Sequence, residues 1–207
     1  MAISNGYCSL SEIKAAARIP VSDTQDDTLL ELAVESASRS IDAHCARHFY
    51  QSGTVTRYYV PSTRLVCDID DVAGTAVTVA ISSAADGVYD ITLDNAVDLQ
   101  FEPLNRRSVG LAFPATKLRM IGDRSFTTTL DDETTVRVTA NFGFGTAVPT
   151  EVKQACIVLA SRFYKRFDSP LGVAGFGDLG AMRVSRVDPD VQSILQPFVH
   201  AQAYGIA

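Results

Sequence analysis

Hydrophobic residues recur at three- and four-residue steps in two long segments that lie far apart in the chain. In the first segment, 26–48, the apolar positions share one stripe of a helix with 3.6 residues per turn. Those positions are Leu29, Leu30, Ala33, Ala37, Ile41, Cys45 and His48. Asp26 and Asp27 suit the positive end of a helix dipole, and Thr24 is the predicted cap. We expect an amphipathic helix here that needs a packing partner.

The second segment, 149–167, supplies that partner. Pro149 suits a first helical turn, and a second apolar stripe follows it. The stripe consists of Val152, Ala155, Cys156, Leu159, Ala160, Phe163 and Phe167. Burying both stripes against each other removes large apolar side chains from water, at about 1.5 to 3 kcal/mol each before entropy is counted. We therefore predict an antiparallel helical hairpin as the core.

Two short helices flank this pair. The first is predicted at 9–17, where Ser9 and Glu12 have the spacing of a capping box. The second is predicted at 189–198, with Asp188 as its cap. Its apolar face consists of Val191, Ile194, Leu195 and Phe198.

Between the long segments the hydrophobic period changes from 3.6 to 2. Strands are predicted at 54–60, 77–81, 88–93, 97–101 and 134–142, separated by turn signals such as Asp86-Gly87 and Gly122-Asp123. No convincing helical pattern interrupts them, so an antiparallel sheet is favoured. The sequence thus predicts an α+β fold in three parts. These are a helical core at 1–50 and 148–167, an inserted β module at 51–147, and a glycine-rich loop, short helix and tail at 168–207.

Composition narrows the possible functions. The 207 residues carry a formal net charge of −6, which disfavours tight, sequence-independent nucleic-acid binding but not a surface past which DNA slides. No apolar run approaches a membrane span, and no secretory signal is visible. The four cysteines include no C-x-x-C pair, and two lie on the predicted buried stripes. Packed thiols in a reducing compartment are therefore favoured over a disulfide framework.

The glycine-rich loop contains Gly175, Gly177 and Gly180 in G-x-G-x-x-G spacing. A dinucleotide site needs this motif between a strand and a helix, whereas here it follows a helix. The alternatives are a mobile connector and a segment that orders on a partner. Apolar residues such as Leu171, Phe176 and Leu179 favour partner contact.

The other sequence motifs give only weak evidence for metal binding or catalysis. His44, Cys45 and His48 have a metal-like spacing but lack the glutamate of H-E-x-x-H, and a role at the helix end is favoured. The carboxylates at 70–71 and 131–133 fall at predicted turns, where solvated acidic residues are typical. No nucleophile elbow or phosphate-binding loop is present in the sequence. We predict no enzymatic activity, no cofactor and no metal.

A resemblance to a known family extends this interpretation. The short capped helix precedes D-D-x-L-L at 26–30, and V-x-x-A-x-x-x-L-A-x-R follows at 152–162. S-P-x-G at 169–172 and D-P-D-V at 188–191 complete the order. The two matching segments together resemble the head-to-tail connector, or adaptor, proteins of long-tailed bacteriophages, especially those of actinobacteria.

The resemblance implies a structural virion protein of the head–tail neck, assembled in the host cytoplasm. It implies a homo-oligomeric ring, a dodecamer, that docks below the portal protein, extends the DNA channel and receives a stopper or tail-completion protein. DNA would pass without sequence-specific binding. The tail would engage the portal or a neighbouring subunit through Asp168, Ser169, Pro170, Leu171, Gly172, Phe176, Leu179, Met182, Arg183, Arg186, Ile194 and Phe198.

Two questions stay open. Arg162, Lys165 and Arg166 could serve structure and subunit contact, which is favoured, or contact DNA in the channel. The β module departs from the almost all-helical smaller members of the family. The alternative function is accordingly a β-module binding protein or a tail-completion protein of the virion neck or tail.

Overall fold

The computed structural model describes residues 3–74, 76–105, 113–168, 173–174, 182–183 and 188–200. The chain divides into two compact units. The first, called the helical unit, comprises Met1–Arg47 and Val148–Ala207, and the second, called the β unit, comprises His48–Ala147. Helices together with antiparallel sheets confirm the predicted α+β fold class.

The helical unit contains all of the described helices. They are α1 at Leu10–Ala17, α2 at Asp27–Cys45, α3 at Thr150–Asp168 and α4 at Pro189–Leu195, followed by a 3-10 turn at Gln196–Phe198. None of the helices in the described ranges is both long enough and apolar enough to cross a membrane.

The start of α1 confirms the predicted capping box. The Ser9 Oγ accepts the backbone N–H of Glu12 at 3.2 Å, and the Glu12 carboxylate accepts the backbone N–H of Ser9 at 2.8 Å. These two bonds satisfy amide groups that have no partner within the helix. The helix ends at Ala17, where Arg18 adopts the left-handed conformation with φ of 59°.

Helices α2 and α3 run antiparallel. The hydroxyl of Tyr164, near the end of α3, donates to the carboxylate of Asp26, just before α2, at 2.6 Å. Further along, Cys156 in α3 lies 3.5 Å from the hydroxyl of Ser38 in α2. Contacts thus progress in opposite directions along the two helices. Their buried side chains include Leu30, Val34, Ala37, Ile41, Val152, Ala155, Cys156 and Ala160.

The predicted stripes needed correction at their edges. Leu29 and Phe167 were predicted to be buried but are exposed, whereas Val34 and Ser38 are buried. Helix α2 begins at Asp27 with Asp26 in the cap position, so the predicted capping role of Thr24 is wrong. A one-residue displacement around the helix rotates a side chain by about 100°, which is enough to move it from the core to solvent.

The buried side chain of Lys14 stabilises the turn between α1 and α2. Only 2% of Lys14 is exposed, and its ammonium group forms an ion pair with Asp27 at the start of α2. It also donates to the backbone carbonyl of Asp23 at 2.6 Å. Because a buried ammonium group needs several acceptors, these contacts fix the path of the turn.

Nine short strands are described. They are β1 at Thr54–Tyr59, β2 at Val66–Val72, β3 at Thr78–Ile81, β4 at Ile91–Leu93, β5 at Leu99–Glu102, β6 at Ala115–Met120, β7 at Val136–Asn141, β8 at Val173–Ala174 and β9 at Met182–Arg183. The β unit holds a four-stranded sheet in the order β1-β7-β3-β4 and a three-stranded sheet in the order β2-β6-β5. The pair β8-β9 belongs to the helical unit. Every pairing between these described strands is antiparallel.

The two sheets of the β unit share one hydrophobic core. Val136, Val138 and Ala140 of β7 are fully buried, and the intervening residues of that strand are less so, as the alternation predicted. Strands β2 and β6 were not predicted. The expected turn at Asp70-Asp71 is wrong, because both residues lie in β2 and Asp71 is buried.

The two ends of the β unit are bonded to each other. The backbone N–H of Phe144 donates to the carbonyl of His48 at 3.2 Å, and the rings of Phe49 and Phe144 lie 5.2 Å apart. Gly143 has a φ of 140°, and a Cβ added to it would lie 2.2 Å from the carbonyl oxygen of Tyr50. Only glycine allows this close approach of the backbones.

Candidate assembly interface

An exposed apolar groove runs between α2 and α3 in the helical unit. It is lined by Leu32, Ala33, Ser36, Ser40, Phe163, Arg166 and Phe167. Leu32 is 47% exposed and Phe167 is 53% exposed. Leu32 and three small residues line its α2 side, and two aromatic rings with Arg166 line its α3 side, so the groove can receive an apolar side chain.

Arg166 brings positive charge to the α3 side of this groove, and Lys165 precedes it in the chain. Lys165 and Arg166 lie in the last turn of α3, and both are exposed. Cations in a last helical turn complement the negative end of the helix dipole, so their placement also stabilises α3. The groove therefore combines exposed apolar area with positive charge, a combination that favours a partner surface that is apolar with an acidic border.

Arg162 is placed differently from its two neighbours. Its guanidinium donates to the carboxylate of Asp188 at 2.7 Å, and both side chains are largely buried. Asp188 in turn caps α4 by accepting the backbone N–H of Asp190. This ion pair joins α3 to α4, and of the three basic residues Lys165 and Arg166 offer the exposed charge.

Most of the predicted tail contacts fall outside the described residues. These are Ser169, Pro170, Leu171, Gly172, Phe176, Leu179 and Arg186, together with the glycine motif at Gly175, Gly177 and Gly180. Asp168 ends α3, and the backbones of Met182 and Arg183 form β9. Ile194 is half-buried, and Phe198 is buried within the helical unit. A contact between these residues and a partner stays a prediction.

The side chains with candidate chemistry are dispersed. Cys45 is fully buried in α2, where burial raises the pKa of its thiol to about 12. The Nδ1 atom of His48, in the β unit, lies 3.0 Å from the carbonyl oxygen of Tyr50. Burial also raises the pKa of Cys67 to about 12. Within the described ranges, no cluster of three or more His, Cys, Asp or Glu residues could hold a metal ion.

The β unit presents a small aromatic cluster of its own. Tyr58 is 55% exposed, and its ring lies 5.4 Å from that of Tyr89. The guanidinium of Arg137 lies over the Tyr89 ring at 5.1 Å. Tyrosine and arginine are enriched at the energetic centres of protein interfaces. This cluster is thus a second candidate binding surface.

Sequence reasoning did not find the groove between α2 and α3. It assigned Leu29 and Phe167 to the core and made no use of Leu32. A signal was present, however. Leu32 lies roughly 170° around the helix from the centre of the buried stripe, and an apolar residue so placed on an otherwise polar face indicates a contact surface.

Comparison with solved structures finds the same fold in three structures of a gene transfer agent particle. The chain shares its fold with a chain of the structure described as "Neck of empty GTA particle computed with C6 symmetry", where GTA denotes a gene transfer agent. The TM-score is 0.58 at 15% sequence identity, covering 98% of this chain and 94% of that chain.

Two further solved structures share this fold. "Neck of native GTA particle computed with C12 symmetry" matches with a TM-score of 0.57 at 13% identity, over 98% of this chain and 93% of that one. "Virion of native gene transfer agent (GTA) particle" matches with a TM-score of 0.56 at 13% identity, over 98% and 94%. No protein-family model matches the chain, and no curated protein matches it.

Proposed function

We propose that this protein is a structural component of the head–tail neck of a phage-like particle. In this proposal its copies form a ring below the portal, which joins the DNA-filled head to the tail and extends the DNA channel. The observation that carries the proposal is the shared fold along 98% of this chain and 94% of a chain from a gene transfer agent neck. The bacteriophage resemblance of the sequence supports the same role independently.

A closed ring requires a contact between two different faces of successive subunits. Two of the solved structures that share this fold are neck assemblies computed with C6 and C12 symmetry. Their symmetry supports a ring of copies of this chain, and the C12 symmetry supports a dodecamer. We assign the groove between α2 and α3 as one side of that contact and a second copy of this chain as its occupant. Burying Leu32 and Phe167, each about half exposed, would contribute roughly 1 kcal/mol apiece, repeated around the ring.

The charge of the chain fits a conduit for DNA. With a formal net charge of −6, the protein lacks the overall positive charge that holds phosphates tightly, so DNA could pass without being retained. We assign Lys165 and Arg166 to the subunit contact because Arg166 lines the groove and Lys165 precedes it in the last turn of α3. The proposed role is thus geometric and involves no catalysis, cofactor or metal.

Further partners belong to the same proposal. The portal protein would lie above the ring, and a stopper or tail-completion protein would lie below it. The segment from 168 to 198 would engage the portal or a neighbouring subunit. Assembly would take place in the host cytoplasm, and the mature location would be the virion neck.

The test is assembly of the purified chain with portal particles, followed by electron microscopy and light scattering. We expect rings on the portal, and we expect Leu32→Asp and Phe167→Asp to prevent ring closure while circular dichroism stays unchanged. Leu130→Asp is the matched control, because Leu130 is fully exposed in the β unit. A protein that stays monomeric and never binds portal particles would refute the proposal.

A second candidate function is a binding protein of the neck or tail in which the β unit is the binding element. The cluster of Tyr58, Tyr89 and Arg137 favours it. Replacing residues 51–147 with a short linker separates the two candidates. Persistent ring attachment favours the neck-ring role, whereas loss of attachment in a deletion variant that still shows helical circular dichroism favours the β unit.

A further inference from the structure

Two cysteines that are distant in sequence meet inside the helical unit. Cys8 lies in the segment that precedes α1, and Cys156 lies in the middle of α3. Their sulfur atoms are 3.5 Å apart, although 148 positions separate the residues. Cys8 is 4% exposed and Cys156 is fully buried. Both thiols are free.

The distance corresponds to two thiols in contact rather than to a bond. A disulfide has a sulfur–sulfur distance of about 2.05 Å, so bond formation requires an approach of about 1.5 Å. The segment around Cys8 can supply this movement because it lies outside the helices and strands and is attached to α2 through side-chain hydrogen bonds. The backbone N–H of Tyr7 donates to Ser38 Oγ at 3.0 Å, and Arg39 donates to the carbonyl of Asn5 at 3.0 Å.

We propose that Cys8 and Cys156 form an intramolecular disulfide when the protein meets a peroxide. In the first step the Cys156 thiolate attacks one peroxide oxygen, which breaks the O–O bond and leaves a sulfenic acid and hydroxide. In the second step the sulfur of Cys8 attacks that sulfenic sulfur and displaces hydroxide, which takes up a proton as water. In total, two thiols and one hydrogen peroxide give one disulfide and two waters.

The local chemistry assigns these two roles. The contact between the two thiols lowers the pKa of Cys156 and raises that of Cys8. Hydrogen bonds from the backbone N–H groups of Tyr7 and Cys8 also favour a thiolate at Cys156. Cys156 is therefore the attacking residue and Cys8 the resolving residue. A small neutral oxidant such as peroxide suits a site with so little exposed surface.

The cross-link would attach the segment before α1 to α3 and close a very long loop of the chain. Constraining so long a loop restricts the unfolded chain strongly, and the folded helical unit gains stability. The inference does not depend on the neck role. A protein that leaves a reducing compartment would acquire this bond without any change of partner.

The test compares the full-length chain treated with hydrogen peroxide and with a phosphine reductant. After alkylation under denaturing conditions, peptide mass spectrometry should show a Cys8–Cys156 cross-link with loss of two hydrogens. The melting temperature of the oxidised protein should rise by roughly 5 to 15 °C. Cys8→Ser and Cys156→Ser should abolish both effects, whereas Cys45→Ser and Cys67→Ser should retain them.

Peptide mapping of the protein without substitutions tests for the Cys8–Cys156 disulfide even where a serine variant fails to fold. Four alkylated thiols after oxidation would refute the proposal. So would cross-links distributed among all four cysteines, or conversion of Cys156 to a sulfinic acid without a disulfide.

Discussion

The hydroxyl of Tyr164 donates a hydrogen bond of 2.6 Å to the carboxylate of Asp26, although 138 positions separate the two residues. This bond joins the last turns of α3 to the start of α2, and it fixes the antiparallel order of the pair. The groove proposed as a subunit contact lies beside it, because Phe163 and Phe167 flank Tyr164 along α3.

Tyr164→Phe should lower the free energy of unfolding of the helical unit by about 1 to 2 kcal/mol, because a hydrogen bond to a charged acceptor is lost. Urea titration followed by far-ultraviolet circular dichroism measures this. Tyr58→Phe is the control for removing a hydroxyl from an exposed tyrosine. Equal effects of both variants would show that the Tyr164–Asp26 bond adds nothing.

The buried ion pair of Lys14 and Asp27 gives a second prediction. Asp27→Ala leaves an ammonium group buried without its charged partner and should cost about 3 kcal/mol. Lys14→Met should cost less, because the Asp27 side chain is 27% exposed and water can reach it. A double-mutant cycle measured by urea unfolding should give a coupling energy of about 1 kcal/mol or more. Strict additivity would contradict it.

Gly143→Ala should destabilise the β unit by about 3 kcal/mol or more, since the new Cβ would collide with the Tyr50 carbonyl oxygen. Gly122→Ala is a matched control: Gly122 also has a positive φ, of 73°, but its Cβ would meet nothing within 4 Å. Backbone strain alone should cost that variant about 1 kcal/mol. Equal losses in thermal unfolding would show that the close approach at Gly143 does not matter.

Glu12 gives a pH-dependent prediction. The hydrogen bond from the Ser9 backbone N–H lowers the pKa of Glu12 most, and the hydrogen bond from Lys153 lowers it further. A lowered pKa contributes stability that is fully present above the unfolded-state pKa of about 4.3, and this stability is lost as pH falls through the folded value.

Glu12→Gln should therefore lower the unfolding free energy at pH 7 by a few tenths of a kcal/mol, since solvent screens this half-exposed site. The difference from the unmodified chain should decrease as pH falls below about 4.3 and disappear below the folded-state pKa of Glu12. Unfolding midpoints measured from pH 3 to pH 7 test this, with Glu133→Gln in an exposed loop as the control. A difference that stays constant over this range would contradict the assignment.

Local interactions made much of the fold predictable. The capping box at Ser9 and Glu12 depends on residues three positions apart, and the alternation in β7 depends on neighbours two positions apart. Both kinds of pattern are visible in the sequence. The α+β class and the antiparallel pairing follow from them.

Sequence reasoning did not predict strand β2, because the basic residues that pair with its acidic side chains are distant in sequence. Asp68 lies opposite Lys117 of β6, with 2.9 Å between their charged groups, and Asp70 accepts from Arg57 of β1 at 2.6 Å. Without these partners the segment resembles a solvated acidic turn. Cross-strand ion pairs of this kind stabilise a strand that local propensity disfavours.

The groove was missed for a geometric reason. The sequence locates the apolar stripe of α2 only to within a residue, and that uncertainty decides whether Leu29 faces the core. Where α3 leaves a side chain such as Phe167 uncovered depends on the packing of two helices distant in sequence. That information is absent from either segment alone.

The hydrogen bond between Phe144 and His48 means that the β unit begins and ends at the same point. An insertion whose entry and exit coincide can be lengthened, shortened or exchanged for another module while the chain around it keeps the same distance to span. Variation among relatives of this protein should therefore concentrate between 48 and 147, and engineered cargo domains could be carried at the same position.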